Sequence, residues 1–116
     1  MANPDKRTSL LKQLVSAARA VVTYQVGFPL GCTRLSRVQS WLRPFEMVPL
    51  PSIEQYLAEV RNLPIGSERL AWDPAAIRIH DRRLEAANQR YRDAVFEACY
   101  EIITRYDDPP SHPPVV

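Results

Sequence analysis

Apolar residues recur at three- and four-residue spacing in four stretches of the chain, and each stretch predicts a helix with one buried face. In the first, Leu11, Leu14, Val15, Ala18, Val21 and Val22 share a stripe, so a helix is expected from near Asn3 or Thr8 to about Gln25. Gly27 is placed to end it in the left-handed conformation. In the second, Leu35, Val38 and Leu42 follow Pro29, which suits an opening helical turn, and Pro44 stops the pattern. The intervening VGFPLG, with Gly27, Pro29 and Gly31, permits a sharp change of direction, making the two an αα-hairpin. The third stripe is Ile53, Tyr56, Leu57, Val60 and Leu63, ended by Pro64. Ser52, with Gln55 three residues on, reads as the capping box that opens it.

The fourth stretch is the longest. From Ile77 through His80, Leu84, Ala87, Tyr91, Val95, Ala98 and Ile102 to Tyr106 the pattern is unbroken. Asp73 is a good N-cap and Pro74 suits the first helical position, where no amide hydrogen is needed. Such a helix is about 50 Å long, against a diameter of about 35 Å for a compact domain of this size. It must overhang the body or break, and a break would fall between His80 and Arg83 or at Asn88. An overhang leaves Ile77, Ile79 and Leu84 needing cover from another chain. The second half, with Tyr91, Val95, Phe96, Cys99, Ile102, Ile103 and Tyr106, has the broader apolar arc and is the expected core anchor.

Between the helices, RPFEMVPLPS is an extended linker whose Phe45, Met47, Val48 and Leu50 should pack across them, and Leu70 and Trp72 should plug the domain ahead of the long helix. Gly66 and Ser67 supply a turn. DPPSHPPVV, with four prolines, is an extended tail in which His112 is solvated. The expected fold is all-α: a compact bundle of four to five helices built on an αα-hairpin and a long C-terminal helix, with residues 1–108 one domain and 109–116 a Pro-rich tail.

An apolar share of 46% and a charged share of 24% are those of a globular chain, which argues against disorder. Lys12, Gln13 and Arg19 interrupt the first apolar stretch, so neither a signal core nor a membrane span is expected, and the location is read as cytoplasmic. Cys32 and Cys99 lie far apart without C-x-x-C spacing and are expected to be reduced and buried. The net charge of +2 conceals a division. Residues 1–45 hold seven basic and one acidic residue, and residues 46–116 hold eight basic and twelve acidic. That separation suits internal docking of the halves, a polyanion on the first, or a basic partner on the second.

Candidate chemistry is sparse. No H-E-x-x-H, glycine-rich phosphate loop or G-x-S-x-G occurs. Glu97 and Glu101 could share a metal, but neither is followed by the histidine of the carboxylate-bridged di-iron pattern. His80, on a helical stripe, reads as a partly buried spacer. A helix, a glycine turn and a second helix with Arg34 and Arg37 invite comparison with the DNA-reading helix-turn-helix, but Thr33 and Ser36 fall at packing positions and Pro29 falls inside the turn. No catalytic residue, cofactor or metal is expected.

The charge pattern of the long helix is more informative. Asp93, Glu97 and Glu101 stand four apart in one row, each like-charged pair costing about 0.2–0.5 kcal/mol in an isolated helix. Arg90 and Arg105, or Arg34 and Arg37 if the second helix packs alongside, are the internal cations that would offset this. Otherwise the row is placed to receive a basic partner. Arg78 and Arg82 in the first half of the helix, and Trp72 ahead of it, are the other candidates for partner contact.

The run AARAVVTYQVGFPLGCTRLSRVQSWL, residues 17–42, resembles the core hairpin of small helical bacterial proteins of uncharacterised function, some of them similar to immunity proteins that neutralise secreted toxins. The resemblance implies no particular functional residue. The expected function is a non-catalytic protein-binding module, in its most concrete form an immunity-type inhibitor of a bacterial toxin. The alternatives are a nucleic-acid-binding regulator using the basic N-terminal hairpin, or a homodimeric structural or adaptor subunit.

Overall fold

The structure, a computed structural model, describes residues 4–63 and 72–107. Asn3, Pro64, Gly66, Ser67, Leu70, His112 and the tail 109–116 lie outside the described residues. Four helices follow one another: α1 Pro4–Val22, α2 Phe28–Leu42, α3 Pro51–Val60 and α4 Pro74–Tyr106. Neighbours in the chain are neighbours in space, and α4 closes the ring by packing on α1 as well as on α3. This is an all-α bundle with a long C-terminal helix, as the periodicity predicts.

The predicted stripes are the core. Leu14, Ala18 and Val21 of α1 meet Cys32, Leu35, Val38 and Leu42 of α2, and Ile53, Tyr56 and Val60 of α3 close on Val95, Cys99 and Ile102 of α4. Tyr56 is fully enclosed, its ring edge-on to Phe28 at 4.8 Å between centroids, and its hydroxyl donates to Asn88 Oδ1. The linker before α3 packs as expected through Val48 and Leu50, but Met47 points to solvent. Buried Gln39 holds the linker in place, its amide donating to the Val48 carbonyl at 2.6 Å.

Three local expectations are corrected. First, α1 ends at Val22 rather than near Gln25, and the left-handed residue is Tyr24 (φ 60°), not Gly27. The amides of Tyr24 and Gln25 bond back to the carbonyls of Val21 and Ala20, the double closure of a Schellman motif. Gly27 is extended (φ −60°, ψ 149°) and caps α2 instead. Second, Gly31 serves close approach rather than the turn: a Cβ there would lie 2.4 Å from Val21 Cγ2. Third, α3 begins at Pro51 with Leu50 as N-cap, so Ser52 is inside the helix and its hydroxyl faces the Ala94 carbonyl of α4 at 3.5 Å. Proline's preset φ opens this helix without a capping side chain.

α4 begins as predicted, with the Asp73 carboxylate accepting from the Ala75 amide at 3.0 Å. It runs unbroken for 33 residues, so of the two alternatives the helix takes the overhang. Its buried residues are Ala87, Val95, Cys99 and Ile102, so everything before Ala87 is less enclosed. Trp72 does not plug the domain. It is 37% exposed and meets His80 edge-on at 4.8 Å between ring centroids.

Candidate functional site

Helical geometry places the acidic row. At 100° per residue, Asp93, Glu97 and Glu101 lie on the side of α4 opposite Val95, which is wholly buried, so the row must face outward. All three carboxylates are exposed. Among the described residues Arg7 pairs with Glu46, Arg19 with Asp107 and Arg90 with Glu59, and the row itself joins no ion pair. The internal cations expected for it make no ion pair with it, although Arg105, one turn on from Glu101, lines the same stretch of surface. Arg90 turns to Glu59 of α3, the Arg105 guanidinium lies over the Tyr106 ring at 5.5 Å, and α2 with Arg34 and Arg37 packs on α1 and α3.

Two clefts flank the row. On one side the linker residues Val48 to Ser52 and the α4 residues Ala98 and Ile102 enclose about 270 Å³, with Glu97 and Glu101 on its rim. On the other, Phe96, Tyr100 and Thr104 line a shallower depression beside the same acids. Tyr100 is 54% exposed, an aromatic side chain set among carboxylates. The row is thus a charged ridge between two partly apolar hollows.

Of the other candidates, Arg78 and Arg82 share this outward face, but Arg78 is about 22 Å along the axis from Asp93. Both are exposed and neither joins an ion pair among the described residues. Ile79, 53% exposed, stands beside them. Trp72 is not brought to the row, because its contact, His80, lies on another side of α4. His80 Nδ1 is enclosed and has no hydrogen-bond partner among the described residues.

Sequence reasoning missed Tyr100 and a second cluster. Tyr100 was legible, since it is three residues from Glu97 and falls on the row's face. The second cluster was not. Tyr24, Phe28, Phe96 and Arg92 surround a cavity of about 200 Å³ between the α1–α2 turn and α4. There Arg92 donates to the Tyr24 hydroxyl, and its guanidinium lies 5.6 Å from both the Tyr24 and Phe96 ring centroids. Tyr24 reaches this place from a left-handed backbone (φ 60°).

The titratable groups of the interior are held in place by packing. Burial pushes the Cys32 thiol up to about 12 and that of Cys99 to about 11, so both stay protonated at neutral pH and fill space. Glu46 is held below the usual carboxylate range by the Tyr106 hydroxyl, which donates to it, and by Arg7. That contact ties the start of α1, the linker and the end of α4 together. No group of three His, Cys, Asp or Glu side chains among the described residues is placed to hold a metal ion, and none of the described helices is long and apolar enough to cross a membrane.

Comparison with family models, with curated proteins and with solved structures finds no match to this chain. The functional reading therefore stands on the outward face of α4.

Proposed function

We propose that the protein is a non-catalytic protein-binding module whose contact surface is the outward face of α4, centred on Asp93, Glu97, Tyr100 and Glu101. One observation carries this reading: three like charges in a row make no ion pair with any cation of the described fold. A row left in that state raises the energy of the free protein slightly and lowers it when a basic surface arrives. The hollows on either side supply apolar area, and Tyr100 has the rigid amphipathic ring favoured at interface centres.

The most concrete form of this function is an immunity-type inhibitor. Carboxylates about 6 Å apart along the helix axis present a line of negative charge, which is what a basic, phosphate-binding cleft of a toxin would receive. A small rigid bundle with such a ridge can occlude that cleft without chemistry of its own. Two buried reduced cysteines suit a cytoplasmic setting for the encounter.

The test is native co-purification with the wild type and with a Glu97→Lys/Glu101→Lys variant, identified by mass spectrometry, alongside circular dichroism of both. Because the row makes no internal pair, the variant should melt as the wild type does. A partner retained by the wild type and lost by the variant is the expected result. The same partners recovered with both proteins would count against this face.

A further inference from the structure

The outward face of α4 carries charges of both signs in separate blocks. Arg78 and Arg82 are one turn apart in the overhanging half, and Glu97 and Glu101 are one turn apart in the anchored half. All four are exposed, and none is in an ion pair among the described residues. At 100° per residue, Arg78, Arg82, Ala86, Asp93, Glu97 and Glu101 fall within an arc of about 140° on the side away from Val95, forming one outward ridge along the helix.

We propose that, before any other partner arrives, a second copy of this chain covers this ridge, with the two α4 helices antiparallel. The two-fold axis passes between Gln89 and Arg90. Residues equally far from that axis then meet: Arg78 faces Glu101 of the second copy, and Arg82 faces Glu97. Symmetry doubles each contact, giving an isologous interface with four ion pairs. Exposed Ala86 lies near the crossing point, where a small side chain lets the helices approach.

The overhang gives the geometry its room. Because nothing before Ala87 is fully buried, the arginine block stands clear of the protomer's own core and is free to reach the other copy's acids. The same contact offsets the like-charge repulsion within each block. Exposed ion pairs each contribute little, so the dimer is weak and salt-sensitive, readily displaced by a basic partner on the same carboxylates. This inference rests on the reading of the outward face as the binding surface. It adds that self-pairing competes with the partner.

The test is a charge-swap cycle read by sedimentation at low ionic strength. Wild type should dimerise with rising concentration, and added salt should return it to monomer. Arg82→Glu alone and Glu97→Arg alone should each be monomeric, because each sets like charges against one another twice. The double variant Arg82→Glu/Glu97→Arg, and an equimolar mixture of the two single variants, should recover the dimer. Circular dichroism on every variant separates lost pairing from lost folding, and the wild-type salt series stands if any variant fails to fold. A wild type that stays monomeric at low salt, or a double variant and mixture that do not recover, overturns the proposal. Loss of the co-purified partner from Glu97→Lys/Glu101→Lys under those same results would leave the binding face standing and remove only the self-pairing.

Discussion

Two residues decide how the hairpin closes, and neither does so in the way a glycine-containing turn suggests. Gly31 sits inside α2, where the Val21 methyl would be 2.4 Å from any Cβ. Val21 is a β-branched side chain buried in the core, so it has little room to yield. Gly31→Ala should therefore destabilise by a net of about 1–2 kcal/mol, the strain of overpacking exceeding alanine's better helix propensity. A lowered urea midpoint at unchanged slope would show it; an unchanged or raised midpoint would mean that α1 and α2 separate without strain. Tyr24 takes the left-handed position that a glycine usually fills, at a backbone cost of about 1–2 kcal/mol, and its contacts with Arg92 and Phe96 hold it there. No spacing rule announces such a residue. The glycines were visible in the sequence and their roles were not, because those roles depend on which helix lies across from them.

At the scale of elements, the stripes of apolar residues were legible and the ends were less so. Asp73 and Pro74 announced the start of α4 because the cap is a local interaction between adjacent residues. The start of α3 was misplaced by two residues, since Leu50 is the N-cap where Ser52 was expected, and a proline's geometry at Pro51 needs no partner. The Glu46 contact was invisible, as it joins α1, the linker and α4 across long sequence separations. It carries a pH dependence. The folded-state pKa of Glu46 is lowered, so its stabilisation is present above the unfolded value of about 4.3 and is lost as pH falls through the lower folded value. Glu46→Gln should melt below wild type at pH 7, and the gap in melting temperature should close as pH falls below about 4. A gap that persists in acid would assign the loss to packing rather than charge.

For the molecule as a whole, the ring of four helices fixes which surfaces are free. α4 is packed on α1 and α3, so its fourth side faces outward along its full length, and that side carries Arg78, Arg82, Asp93, Glu97, Tyr100 and Glu101. The acidic row and the arginines were legible as charges at helical spacing. That the row makes no internal ion pair was not, because it depends on where Arg34 and Arg37 of α2 and Arg90 turn in the folded chain. The most direct test of the binding face places a photo-reactive phenylalanine analogue at Tyr100 and, as a control, at Trp41, which is equally exposed on α2. Irradiation under native conditions should give covalent protein adducts from position 100, to a second copy or to a basic partner, and none above background from position 41. Adducts from position 41 alone would contradict the account.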